Sequence, residues 1–152
     1  MQPYFFSDIK PNPMQRKLNC VLLIDDDEAT NFINEMVIEE SGKAEEVVKI
    51  QSAFDALTFL KSEEKGKHPQ PDLIFLDINM PGMDGWEFLE EYEKLDDGMK
   101  AKVILVMLTT SVNPDDKKKA EQFNIVNNFM LKPLTVDDFN SICEEYFDLE
   151  AA

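Results

Sequence analysis

The sequence predicts an α/β fold with a five-stranded parallel sheet that is doubly wound, so that helices cover both faces. Two observations predict this fold. Short apolar runs rich in Val, Ile, Leu or Phe occur five times between residues 20 and 131. A longer segment with apolar residues at helical spacing follows each run. Such alternation favours parallel strands joined by right-handed crossovers, and we expect the strands to be buried on both faces.

The predicted strands and helices follow one another along the chain from residue 20 to residue 148. The strands are CVLLI (20–24), VVKIQ (47–51), LIFL (73–76), VILVML (103–108) and NNFML (127–131). The helices are 28–40, 53–63, 85–95, 114–123 and 135–148. Helical spacing is carried by Phe32, Ile33, Met36 and Val37 in the first, by Phe54, Leu57 and Leu60 in the second, and by Trp86, Leu89 and Tyr92 in the third. Pro114 suits the first turn of the fourth helix, and Thr135 is a candidate cap for the fifth.

Length and composition indicate one folded domain. The chain has 152 residues, of which 43% are hydrophobic and 30% are charged. We assign an N-terminal extension to 1–17, one domain to 18–149 and a tail to 150–152. The net charge of −16 argues against direct binding of nucleic acid or of anionic membranes, because both are negatively charged.

The chain shows no sign of export or of membrane insertion. It begins without the basic and then apolar order of a signal peptide, and no apolar run approaches the ~20 residues that cross a bilayer. Cys20 and Cys143 lie far apart and form no CxxC pair, so two small buried thiols are expected. We therefore predict a cytoplasmic protein.

Polar side chains follow each of the predicted strands, at the edge where parallel sheets bind ligands. Ser52 alone follows the second strand. The residues that follow the others are Asp25, Asp26 and Asp27; Asp77; Thr109, Thr110 and Ser111; and Lys132 and Pro133. Any one of them could be an ordinary loop residue, but the set as a whole indicates a site.

Clustered carboxylates of this kind indicate a divalent cation. Two carboxylates about 4 Å apart repel by roughly 4 kcal/mol at an effective dielectric constant near 20, so three need a counter-charge. Oxygen ligands favour Mg²⁺ over zinc. With the metal bound, one carboxylate could attack phosphorus while a lysine and a hydroxyl interact with the phosphoryl oxygens. The sequence thus predicts that Asp77 accepts a phosphoryl group.

Four segments resemble the successive motifs of the response regulator receiver domain of two-component signalling, with its CheY-like, flavodoxin-like fold. They are VLLIDDDEA, DLIFLDINMPGMDGWEFL, VILVMLTTS and FMLKPL, within residues 18–149. The resemblance implies that Asp77 is phosphorylated by a partner histidine kinase or histidine phosphotransfer protein. It implies Mg²⁺ at Asp26 directly, at Asp25 mainly through water, at Asp77 and at the backbone carbonyl of Asn79.

The resemblance also implies a switch. Thr109 matches the switch hydroxyl, Lys132 matches the lysine that pairs with the phosphoryl oxygen, and Pro133 is expected to follow a cis peptide bond. Phe129 takes the place of an aromatic switch residue that is often Tyr, although a core role for it is equally compatible. Phosphorylation would draw Thr109 towards Asp77, turn Phe129 inward and change the surface of the fourth helix, last strand and last helix.

Only the last predicted helix and a short tail follow Lys132, so we expect a stand-alone receiver that acts on an unknown downstream protein. It would be a signalling switch that assists its own phosphorylation and dephosphorylation, and not an enzyme. The alternative is a pseudo-receiver that docks proteins without being phosphorylated. A haloacid-dehalogenase-like phosphohydrolase is disfavoured, because its second aspartate would fall at Asn79.

Overall fold

The computed structural model describes residues 17–101, 104–110 and 113–149. The predicted N-terminal extension apart from Lys17, residue Ser111 and the predicted tail lie outside the described residues. Within the described part, a five-stranded parallel sheet has the strand order β2-β1-β3-β4-β5 and confirms the predicted fold. The strands are β1 (Val21–Ile24), β2 (Val47–Ile50), β3 (Leu73–Asp77), β4 (Ile104–Thr109) and β5 (Asn128–Leu131).

A helix follows each strand, as predicted. The helices are α1 (Glu28–Ser41), α2 (Ala53–Lys61), α3 (Gly85–Glu93), α4 (Pro114–Glu121) and α5 (Val136–Phe147). Side chains just before them hold their first turns, since Asp27, Ser52, Asp84, Asn113 and Thr135 each accept a hydrogen bond from a backbone N–H. The predicted cap at Thr135 is confirmed, and these caps fix where each helix begins at the edge of the sheet.

The core has two halves, one on each face of the sheet, because successive strand residues point to opposite faces. Leu22 and Ile24 of β1 pack in the half that α2 and α3 cover. Val21 and Leu23 pack in the half that α1 and α5 cover. This two-sided burial holds β1 and β3 rigidly and therefore fixes the positions of the residues at their ends.

Two expectations about burial were wrong. β2 and β5 are only half-buried, because they are the edge strands of the sheet and have a neighbour on one side only. On α1, Phe32 and Met36 are 56% and 53% exposed, and Ile33 is 48% exposed. The buried residues of α1 are Asn31, Asn34 and Ile38, so the inward face lies roughly 160° around the helix from the face that its apolar residues predicted.

The other helices match the predicted faces more closely. Leu57 and Leu60 of α2 are buried, but Phe54 is 61% exposed. Cys20 and Cys143 are buried thiols, as expected. Within the described ranges, none of the helices is both long and apolar enough to span a membrane.

Candidate functional site

The site lies at the carboxyl edge of the sheet, where three neighbouring strands bring their last residues together. Asp25 directly follows β1, Asp77 ends β3 and Thr109 ends β4. Asp77 is paired with Leu108 in the register of β3 and β4, which puts Thr109 one position further towards the edge. Lys132 follows β5, and its backbone N–H donates to the carbonyl oxygen of Thr109.

Three carboxylates cluster at this edge, as the sequence predicted. Asp25, Asp26 and Asp77 each offer an oxygen atom, and these atoms all lie within 4.8 Å of one another. Asp25 and Asp77 are 4% and 5% exposed, whereas Asp26 is exposed. Buried carboxylates this close repel one another and therefore need a positive charge between them.

Lys132 supplies part of that positive charge. Its Nζ atom lies 2.6 Å from Asp25 Oδ2 and 3.0 Å from Asp77 Oδ1. The side chains in this ion pair network are 11% exposed or less. The peptide bond between Lys132 and Pro133 is cis, at the position where the resemblance implies one.

One ammonium group faces three carboxylates, which leaves an excess of negative charge at the site. Burial raises the pKa of Asp77 above the ordinary aspartate value, and the charges of Asp25 and Asp26 raise it further, against the hydrogen bond from Lys132. Burial on its own lowers the pKa of Lys132, but hydrogen bonds to Asp25 and Asp77 outweigh burial and raise that pKa. The site is therefore one that favours an additional cation or a proton.

This imbalance predicts that Asp77→Asn makes the metal-free protein more stable. Because the pKa of Asp77 is higher in the folded than in the unfolded chain, its ionisation weakens the fold as the pH rises from about 4 through the folded pKa. We expect the free energy of unfolding at pH 7 in EDTA to be greater in the variant, by on the order of 1 kcal/mol. The difference should shrink as the pH falls to about 4. Urea unfolding at both pH values measures it, and a less stable variant at pH 7 would contradict it.

The donor set fits a divalent cation. The cluster offers carboxylate oxygens from three residues, which are the ligands that hard cations such as Mg²⁺ and Mn²⁺ prefer. A bound divalent cation would also supply the positive charge that Lys132 alone does not.

The other predicted residues lie around this cluster. Asn79 is exposed in the loop after β3, and Thr109 is 2% exposed. Phe129 is half-buried and packs against the core half under α2 and α3. Asp27 caps α1, and Ser52 caps α2.

Gly85, the first residue of α3, packs against the backbone of Asp77 and Ile78. Its N–H donates to the carbonyl oxygen of Ile78 at 2.8 Å, closing the loop that follows β3. A Cβ atom at this position would lie 2.6 Å from the backbone oxygen of Asp77 and 2.8 Å from Cα of Ile78. The start of α3 therefore rests directly on the backbone of Asp77.

The sequence analysis did not identify two residues near the site, Asn31 and Asn34. They are 1% and 2% exposed on the inner face of α1. Their spacing with Ile38 is i, i+3, i+7, which is that of a helix face, so a signal was present. It was obscured because the larger apolar residues beside them suggested a different inner face.

Comparisons with known proteins agree with this architecture. Residues 21–144 match the family model described as the response regulator receiver domain. The probable methanogenesis regulatory protein FilR2 of Methanothrix harundinacea is 30% identical over 125 residues, which cover 82% of this chain and 79% of that protein.

Solved structures give the same result. A two component response regulator from Cytophaga hutchinsonii is 34% identical, with a TM-score of 0.72 over 83% of this chain and 94% of that one. The Mn²⁺-bound form of response regulator Rcp1 is 29% identical, with a TM-score of 0.65 over 88% of this chain and 96% of that one. With the sequence match and the acidic site at the sheet edge, these likenesses establish that the chain belongs to the response regulator receiver domain family.

Proposed function

We propose that this receiver domain takes a phosphoryl group from a phosphohistidine of a histidine kinase or histidine phosphotransfer protein onto Asp77. One observation carries the proposal. The buried carboxylate of Asp77 ends β3 with an oxygen 3.0 Å from the ammonium of Lys132 and beside two further carboxylates. Asp77 thus lies at the sheet edge between Lys132, which could pair with a phosphoryl oxygen, and the carboxylates of Asp25 and Asp26, which could bind a metal ion.

In the proposed reaction, a carboxylate oxygen of Asp77 attacks the phosphorus atom. An O–P bond forms, the bond between phosphorus and the histidine nitrogen breaks, and that nitrogen keeps the electron pair. Lys132 would pair with one phosphoryl oxygen in place of the Asp77 oxygen it now contacts. In this way the protein assists its own phosphorylation, and by the same contacts its dephosphorylation by water.

We propose Mg²⁺ as the cation, held by Asp26 directly, by Asp25 mainly through water, by Asp77 and by the backbone carbonyl of Asn79. When bound, Mg²⁺ would neutralise the clustered carboxylates and the incoming phosphoryl oxygens. The negative excess around Asp77 supports a cation at this place.

Thr109 and Phe129 would carry the signal away from Asp77. Thr109 ends the strand beside β3, and Met107, two residues earlier, is paired with Phe129. A phosphoryl group that draws the Thr109 hydroxyl would open space into which the half-buried Phe129 turns. The changed surface of α4, β5 and α5 would then bind a downstream protein.

As part of the proposal, the domain spans 18–149, between an extension over 1–17 and a tail over 150–152. We place it in the cytoplasm, where ATP is the source of the phosphoryl group that histidine kinases carry. The buried thiols of Cys20 and Cys143 are compatible with a reducing compartment.

Intact-mass spectrometry after incubation with acetyl phosphate tests the proposal. We expect one added phosphoryl group with Mg²⁺ and none in EDTA. If the phosphoryl adduct is hydrolysed too rapidly to be detected, binding of beryllofluoride, a stable mimic of the phosphoryl group, is measured instead. If neither an adduct nor beryllofluoride binding is found, the phospho-switch is refuted in favour of a protein-docking pseudo-receiver.

The exposed apolar residues beside the site indicate where the donor protein docks. Phe32 of α1 lines a cavity with Glu28, Gln51 and Asp55, close to the edge at which Asp77 opens. We predict that Phe32→Ser slows phosphoryl transfer from a phosphohistidine protein by about tenfold, since buried aromatic contacts dominate many interfaces. Phosphorylation by acetyl phosphate, which needs no docking surface, should not change.

Radiolabelled, autophosphorylated histidine kinases that transfer to the wild type provide the assay. Leu131→Ser is the matched control, because Leu131 is also exposed and apolar (47%) but lies on the opposite edge strand. Equal transfer rates for Phe32→Ser and the wild type would exclude this part of α1 from the donor interface.

A further inference from the structure

The inner face of α1 is polar where it meets the site. Asn31 and Asn34 are almost completely buried there, while Phe32, Ile33 and Met36 of the same helix are exposed. Burying an amide side chain is unfavourable unless its polar atoms are hydrogen-bonded. Apolar residues are available on this helix but point outward, so the two buried amides need a reason other than filling space.

Asn31 contacts the segment that carries the acidic pair. Its Nδ2 atom donates to the backbone carbonyl oxygen of Asp25 at 2.8 Å, and its backbone N–H donates to the carbonyl oxygen of Asp27 at 3.1 Å. The Asp27 N–H in turn donates to the carboxylate of Asp25 at 2.9 Å. These bonds fix both the backbone and the side chain of Asp25.

Asn34 contacts the segment that carries the lysine. Its Oδ1 atom accepts a hydrogen bond of 3.4 Å from the backbone N–H of Leu134, two residues after Lys132. Asn34 and Leu134 are 100 residues apart in the sequence. One turn of α1 therefore contacts both segments whose side chains meet in the ion pair between Asp25 and Lys132.

We propose that Asn31 and Asn34 are positioning residues that hold the Asp25 and Lys132 segments at the separation the phosphorylation site needs. The inference rests on the proposed function and adds two residues to it, which act through the Asp25 and Lys132 segments. Through them, α1 is hydrogen-bonded to both segments that flank Asp77.

An unpartnered atom supports a role in positioning. Asn31 Oδ1 is buried and has no hydrogen-bond partner, the one such side-chain atom among the residues that the structure describes. A residue that served packing alone would not keep a buried oxygen unpaired. The Nδ2 group of the same amide accounts for an asparagine at this position, because it donates the hydrogen bond that holds the carbonyl of Asp25.

Leucine variants test the proposal, since Leu has the same number of side-chain heavy atoms as Asn, branched at the same carbon, but makes no hydrogen bond. We expect Asn31→Leu and Asn34→Leu to fold, to be phosphorylated by acetyl phosphate at least about tenfold more slowly and to bind Mg²⁺ about tenfold more weakly by calorimetry. Asn140→Leu is the control. It removes the acceptor of the Lys43 ammonium at 2.7 Å, away from the site, and should change stability but neither of these two constants.

Aspartate variants separate positioning from packing, because both add the same charge. Asn34→Asp keeps an acceptor for Leu134 and should stay within about threefold of the wild-type rate, whereas Asn31→Asp loses its donor and should be slowed at least about tenfold. Wild-type rates in both leucine variants would overturn the proposal. If the wild type itself takes no phosphoryl group, the proposed function fails, and the Mg²⁺ dissociation constants still decide whether these residues position the acids.

Discussion

Asp77→Asn is expected to abolish the Mg²⁺-dependent phosphoryl adduct completely. An amide has no anionic oxygen to attack phosphorus, and the remaining acids are not placed to replace it. Both carboxylate oxygens of Asp25 are engaged, Oδ1 by the backbone N–H of Asp27 at 2.9 Å and Oδ2 by Lys132 at 2.6 Å, and Asp26 is exposed. Asp77 alone ends a strand that is buried along its whole length. Intact-mass spectrometry with acetyl phosphate measures the effect, and the variant should show no adduct under conditions in which the wild type is modified.

Asp84→Asn is the matched control for this loss. Asp84 lies in the same loop and caps α3 through its side chain, a role that Asn also fills. We expect its adduct to form as in the wild type. An adduct on Asp77→Asn would contradict the assignment, and peptide mapping would then locate the true acceptor.

Gly85→Ala is expected to damage both the fold and the site. The added Cβ would lie 2.6 Å from the backbone oxygen of Asp77, and backbone atoms cannot yield as a flexible side chain can. Crowding of this kind costs about 1–3 kcal/mol of folding free energy. The displaced Asp77 should be phosphorylated at least about tenfold more slowly, since small errors in position are costly in catalysis. Urea unfolding and the rate with acetyl phosphate measure the two effects.

Gly98→Ala is the control for the effect of losing a glycine. A Cβ at Gly98 would meet only a ring carbon of His68 at 4.0 Å, which is an ordinary contact. We expect stability and rate to stay close to the wild type. If Gly85→Ala behaves in the same way as Gly98→Ala, the start of α3 does not hold Asp77 in place.

The sequence predicted the positions of the site residues well because parallel strands share a direction. Once Asp25, Asp77 and Lys132 were placed at strand ends, the topology of the sheet required them to meet at one edge. Their chemistry was also readable, since closely placed carboxylates need a cation wherever they lie. The bounds of the strands and helices differed by only a few residues, because caps such as Asp27 and Thr135 are local.

Burial was less predictable, because it depends on neighbours that the local pattern does not name. β2 and β5 have apolar sequences like those of the central strands, yet they are half-buried because the strand order puts them at the edges. Phe54 follows the helical spacing of α2 but is exposed.

By itself, the sequence determined the alternation of strands and helices, the acids and lysine at the sheet edge and the resemblance to receiver domains. Only the tertiary structure decided which face of α1 turns inward. Periodicity gives the spacing of a helix face but not its direction, since that depends on what lies opposite. Opposite α1 lie the carbonyl of Asp25 and the N–H of Leu134, and these polar groups are satisfied by Asn31 and Asn34, whereas Phe32 could not bond to them.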